Sequence, residues 1–451
     1  MAVEQSQAGG EQFPGAPVTA SITTATAPSN ELDDIAAEAA LIAATEVVAD
    51  NLVEYVRGWW RRVRAGDSGV LPVVVALVVI VVAFQAREPK YLSAGNLVDL
   101  FDQMVIFALF AMAEVFVLLL GEIDLSVVYN AGIGAGLMAA FVAPPFKFAW
   151  WICILIGVAT TTLIGLVLGT LITRLRLPSF IVTLAAFLGL EGVMLFMFNK
   201  FSVAVGGVIL ISNHVLVDLV AGNITPGWSW VTMAILVVAF GVYSVVRDVR
   251  RKAAGLVTPP LSLTLLKALA VAVAGVVVVA ICNVNRGSHA IANRGVPWSI
   301  PILLGIFGAT TILLSRTRFG RYVYAIGGNA EAARRAGINV AMVRTAAFGL
   351  TGLLSGLAGM MYLSWLGSIS TDIDPSLMLY AVAAAVIGGT SLFGGRGKAL
   401  HGVLGGLVIA AVYNGIDLMG LGAAYEDMVV ALVLLVSITV DSIARGGQRA
   451  R

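Results

Sequence analysis

The chain has 451 residues, of which 59% are hydrophobic and 12% charged, with a mean hydropathy of +0.95. That balance excludes a water-soluble domain: helices of roughly 20 residues, ten to twelve of them, would absorb nearly all the apolar residues. A net charge of +2 excludes the concentrated basic face of a nucleic-acid binder, and Cys153 and Cys282, far apart in apolar runs, exclude a disulfide framework or thiolate metal cluster.

Residues 1–30 are rich in Ala, Gly, Ser, Thr and Pro and read as a disordered tail. Glu4 and Glu11, with no early apolar block, do not make a secretory signal. Over 31–66 the pattern turns helical, with Asn30 as N-cap, and closes on Arg57, Trp59, Trp60, Arg61, Arg62 and Arg64, which suits an interfacial helix at the headgroup layer; a floppy acidic tail is the alternative, since the Ala-rich face is weakly amphipathic. Residues 67–445 form the transmembrane domain and 446–451 a short tail.

Runs of spanning length fall near 70–86, 102–120, 127–143, 149–172, 179–198, 228–246, 262–282, 298–315, 341–365, 376–393, 400–419 and 425–443. The pairs at 102–143 and 376–419 are each joined by a short Gly-containing segment and read as broken or re-entrant, so the span count is ten to twelve. With the N-terminus cytoplasmic, 22 of the 28 basic residues fall inside and six outside, as the positive-inside rule requires. The fold class expected is an all-α polytopic membrane protein of ten to twelve helices, some discontinuous, with both termini cytoplasmic. Residues 199–227 form an outside loop able to touch an extracytoplasmic partner, and 316–340 a polar cytoplasmic loop.

No phosphate-binding loop is present. Ala399 follows Gly397-Lys398, and Leu392 stands where the leading Gly belongs, so the chain cannot hydrolyse ATP alone. The histidines, His214, His289 and His401, are scattered, and no cofactor or metal is called for. The cytoplasmic loop has a clear design: Asn329 caps a short helix, Glu331 lies in its first turn, Arg334 and Arg335 near its end, and Gly337 stops it. With Ala332 and Ala333 on its surface it suits docking in a shallow groove, although a capped surface loop has the same composition.

GRYVYAIGGN followed by EAARRAGIN resembles the cytoplasmic coupling loop of bacterial ABC importer permeases for monosaccharides, the ribose/xylose-type family. GEIDLSV (121–127), AVIGGTSLFGGRG (385–397) and YNGIDLMGL (413–421) match in order, and the added spans around 247–252 resemble the xylose-type branch. The resemblance implies a permease homodimer in the bacterial inner membrane, two ATPase subunits below it, and a sugar-binding protein delivering a monosaccharide from outside. It implies ATPase coupling through Asn329, Glu331, Ala332, Ala333, Arg334, Arg335 and Gly337.

Candidate pathway residues are Gly121, Glu122, Asp124, Ser126, Gly388, Thr390, Ser391, Asn414 and Asp417. Intramembrane carboxylates cost about 2.5–3.5 kcal/mol on insertion scales and normally face a cavity or partner. If the helix breaks at Gly121, Asp124 or Ser126 would cap the next half-helix and the freed backbone groups would line a polar route; the alternative is that Asp124 merely caps a helix at the water boundary. Many members of the family have Gly where Glu122 stands. Gly388 to Lys398 partly echoes the first break, Gly388, Ser391 and Leu392 aligning with Gly121, Asp124 and Leu125; its glycines serve packing or a bend. Asn414 and Asp417 share a helical face and would bond either sugar or a neighbouring helix. Glu114 and Glu191 have no obvious partner. The alternative function is a proton- or sodium-coupled secondary sugar transporter using Asp124 or Glu191.

Overall fold

Among the described residues from 70 onward, fifteen helices and four very short strands follow one another in a computed structural model. It describes Glu54, Arg57 and residues 70–200, 206–211, 213–255, 258–287 and 293–449. The tail at 1–30 and the expected helix at 31–66 lie outside the described residues, apart from Glu54 and Arg57, both helical.

Twelve helices track the apolar runs. They are α1 (Leu71–Arg87), α2 (Ala94–Leu118), α3 (Val127–Val142), α4 (Trp150–Leu175), α5 (Ser179–Lys200), α7 (Pro226–Ala253), α8 (Leu261–Asn283), α9 (Ser299–Arg316), α12 (Val340–Leu366), α13 (Ser376–Ile387), α14 (Ala399–Leu418) and α15 (Ala423–Arg449). Eight of these are long and apolar enough to cross a membrane; α1, α3 and α13 are shorter apolar helices. The remainder are β1 (Val208–Leu210), α6 (His214–Ala221), β2 (Asn223–Ile224), β3 (Val296–Pro297), α10 (Arg318–Gly328), α11 (Ala330–Arg335) and β4 (Ser368–Ser370). Helix starts are set by polar caps: Ser93 accepts from the Asn96 N–H, Asn213 caps α6 and Asn339 caps α12, while Pro226 opens α7.

The centre is α2, α12 and α14, whose most apolar stretches are 83%, 72% and 67% buried. Helices α3 and α13 are enclosed beside them. Apolar side chains cannot drive helices together in lipid, so close backbone approach must do it. Gly352 and Gly356 of α12 lie on Thr161 of α4, Gly359 lies on Ala131 of α3, and Gly165 and Gly169 of α4 lie on Phe348 and Thr345. On α14, Gly402 and Gly406 lie on Met112 and Ala108 of α2, and Gly405 lies on Ala384 of α13.

Strand β1 pairs antiparallel with β4, and β2 with β3. Both pairs gather at the end of the bundle where α12 finishes, with α10 and α11 at the opposite end, where α12 begins. The segment expected as a plain loop at 199–227 therefore contains structure. Asn213 caps α6, Leu216 and Val220 are buried, and the Val220 N–H donates to Ser364 Oγ. The run expected at 376–393 is helical only to Ile387, because Gly389, Gly394 and Gly395 take positive φ angles that a helix excludes.

Gly352→Ala would drive a Cβ into the Thr161 carbonyl oxygen. It is expected to cost about 1–3 kcal/mol and lower the melting temperature of the purified protein. Gly241→Ala on α7, with no atom within 4 Å of its added carbon, is expected to stay within about 0.5 kcal/mol of the parent.

Candidate functional site

Residues 316–340 fold as two short helices. Thr317 accepts from the Gly320 N–H to start α10, whose Val323 and Ile326 are buried. Asn329 ends α10 and begins α11, its Oδ1 accepting from the N–H groups of Glu331 at 3.0 Å and Ala332 at 2.9 Å. Glu331 pairs with Arg334 at 2.8 Å and Arg335 at 3.2 Å. All three side chains are exposed, so these pairs are worth at most about 1 kcal/mol. Ala333 is buried against the bundle, Ala332 faces out, and Gly337 has φ +83°. The result is a small helix anchored on one face and presenting charge on the other.

The base of α10 is fastened to both helix breaks. A side chain at Gly327 would strike the Leu119 carbonyl and Gly395, so three backbone turns meet here without room for a Cβ. The Gly395 N–H donates to the Leu119 carbonyl at 2.9 Å, joining the break after α2 to the break after α13. The Tyr324 hydroxyl donates to the Gly397 carbonyl at 2.7 Å. Burial raises that phenol above its ordinary range.

The first break runs from Leu119 to Ser126, with Gly121 at φ +74°. Glu122 is ion-paired with Arg344 at 3.2 Å, one turn into α12. The chain then climbs beside α2: Asp124 is 2% exposed and lies against the fully buried Glu114, and the Val127 carbonyl accepts from Ser355 Oγ, four turns into α12. Irregular backbone at this depth is tolerated because protein encloses it. The expectation that Asp124 or Ser126 caps α3 needs correcting. Ser126 occupies the N-cap position but makes no side-chain cap bond; its N–H and hydroxyl both donate to Asp124 Oδ1, at 2.9 and 2.6 Å. The carboxylate closes a turn before the helix rather than the helix itself.

In the second break the positions differ from the proposed echo. Gly388 has ordinary helical angles, unlike Gly121, and its role is close approach to the His401 carbonyl. Thr390 is buried with its hydroxyl unpartnered among the described residues, while Ser391 Oγ accepts from the Phe393 N–H. Asn414 is also buried, and its Oδ1 accepts from Asn96 Nδ2 at 2.7 Å, so it bonds a neighbouring helix. Asp417, one turn on, is exposed. The breaks and α10–α11 form one assembly; Asn414 and Asp417 lie at the other end of α14. Glu191, without an obvious partner in the sequence, faces the Tyr129 hydroxyl.

Two parts of the site escaped the sequence reasoning. Arg344 is one of the inside basic residues and carries no motif of its own, and α10 is marked by its glycines and one further pattern. Its amphipathic spacing of Val323 and Ile326 was the clue available.

Residues 96–438 match the family model described as branched-chain amino acid transport system / permease component. The chain belongs to this family. It is a multi-pass permease of the bacterial inner membrane. It is similar to the xylose transport system permease protein XylH of Haemophilus influenzae, 32% identical over 84% of this chain and 98% of that protein. It is 30% identical to XylH of Escherichia coli over 85% of this chain and 94% of that one. The ribose import permease protein RbsC of Escherichia coli is 27% identical over 82% and 92%. No solved structure matches the chain.

The Glu122–Arg344 pair, with side chains 13% and 31% exposed, lies between the exposed and buried regimes. Glu122→Gln or Arg344→Gln is expected to destabilise by about 1–3 kcal/mol, and the double variant to lose less than the sum, as thermal melts in detergent would show.

Proposed function

We propose that this chain is the transmembrane subunit of an ATP-binding-cassette importer for a monosaccharide of the xylose or ribose class. It would act as a homodimer, with two ATPase subunits against α11 and an extracytoplasmic sugar-binding protein over the strand-bearing end. All twelve apolar helices would traverse the bilayer at least in part, with both termini cytoplasmic. Supporting that orientation, Arg174 and Arg176 close α4, Arg250, Arg251 and Lys252 close α7, and Arg316 closes α9, all at ends compatible with the α10–α11 side. The substrate class rests on the names of the relatives, xylose and ribose permeases, whereas the family description speaks of amino acids.

The observation that carries the mechanism is the three-way backbone junction of Leu119, Gly327 and Gly395. Closure of the ATPase dimer would press α11, whose Asn329, Glu331, Ala332, Arg334 and Arg335 face or border the partner, with Ala333 and Gly337 setting its seat. Through Gly327 the push reaches both breaks at once. The spans beyond them, carrying Gly121, Glu122, Asp124, Ser126, Gly388, Thr390 and Ser391, would rock so that the pathway opens to the other side.

Reconstitution with the ATPase and binding protein tests this. Uptake of radiolabelled D-xylose or D-ribose, but not leucine, is expected. It should continue when the proton gradient is collapsed and ATP maintained; arrest there would favour a secondary transporter. Glu331→Lys or Arg334→Glu should lower uptake by about tenfold or more, with unchanged membrane levels, because the exposed pairs contribute little to folding.

A further inference from the structure

We propose that the ends of α12 and α14 farthest from α11 form a monosaccharide subsite, walled by the rings of Tyr362, Trp365 and Tyr413 and rimmed by the carboxyl groups of Asp374, Asp417 and Glu426. The inference rests on the sugar-permease function proposed above and adds where the sugar is first held.

The Trp365 ring stands 6.3 Å from Tyr362 at 47° and 6.3 Å from Tyr413 at 69°. Rings at these angles make walls rather than a closed stack, and all three are only half-buried, which leaves ring surface free. Phe107, itself buried, backs Tyr413 at 5.5 Å. The carboxyls of Glu426, Asp417 and Asp374 all lie within electrostatic reach of the Tyr413 phenol.

The state of those carboxyls points to a ligand. Asp427 is already occupied by the Tyr380 hydroxyl, at 2.8 Å. One oxygen of Asp374 accepts the Ser376 N–H, leaving the other, and Asp417 is exposed. Glu426 is 8% exposed and accepts no hydrogen bond among the described residues. Its unpartnered oxygens keep some accessible surface, so a ligand can reach them. Carboxyl oxygens accept hydrogen bonds, and a monosaccharide supplies what is missing: hydroxyl donors around its edge and C–H faces to lie on aromatic rings. Apolar walls with a few convergent polar groups are the usual form of a small-molecule site. From Val340 to Trp365, α12 rises about 38 Å, so the subsite lies a full helix length from α11, where a sugar leaving a binding protein would arrive.

The test uses the full chain in lipid nanodiscs, probed by saturation-transfer NMR with D-xylose and separately with choline, and the reconstituted importer probed by uptake kinetics. D-xylose is expected to receive saturation in the parent protein. Asp374→Asn with Asp417→Asn, both at exposed positions and therefore harmless to packing, should weaken binding roughly tenfold. The same variant should raise the KM of uptake by a similar factor with kcat little changed. Trp365→Leu should abolish transfer to the sugar C–H protons. Unaltered xylose binding and KM in the Asp374/Asp417 variant, or a choline signal without a xylose signal, overturns the subsite while sugar uptake by the parent importer leaves the function standing. An importer that takes up neither xylose nor ribose overturns the function and the subsite with it.

Discussion

Backbone groups that leave a helix inside a membrane protein must find partners within the protein, since lipid offers none. This chain breaks its central helices twice and meets that requirement by turning the breaks toward each other. Leu119 gives up its carbonyl to the N–H of Gly395, and Gly397 takes the Tyr324 hydroxyl. The same bonds that satisfy the broken helices also tie them to α10. A device for surviving in the bilayer thus becomes the connection between the polar segment at one face and the core of the bundle.

Glycine is what makes the connection short. Around the junction it permits positive φ at Gly121, Gly394 and Gly395, and at Gly327 it permits backbone-to-backbone contact. Along α4, α12 and α14 it brings helix axes close enough for carbonyls to touch the facing chain. Hydroxyls finish the job: Thr351 Oγ1 donates to the Ala113 carbonyl and Ser355 Oγ to the Val127 carbonyl. Small and polar residues thus let the central helices meet closely around buried side chains such as Phe110, Phe116 and Phe348, while α7 and α8 turn many of their large apolar residues outward.

Much of this was legible in the chain. Span-length apolar runs mark helices because nothing else satisfies backbone in lipid, and Asn329, Glu331 and Gly337 are local signals whose capping geometry needs no distant residue. What escaped depends on residues far apart in sequence. Nothing in GEIDLSV reveals that Glu122 meets Arg344, or in YNGIDL that Asn414 is already taken by Asn96. Nor does a glycine announce which of its two uses applies: Gly388 and Gly121 look equivalent in a pattern, yet one serves approach and the other a reversed φ. At the far end Tyr362 and Trp365 belong to α12 and Tyr413 to α14, and each alone looks like an interfacial anchor.

The Leu119–Gly395 bond has a further mechanical meaning. Two hinges that share a rivet cannot pivot separately: displacing one stretches or severs the tie unless the other follows. Half-shifted arrangements would leave an amide and a carbonyl stranded in a dry interior, where each is expensive. Under the rocking proposed above, the bundle would favour a few complete postures, with sparse occupancy of anything between them.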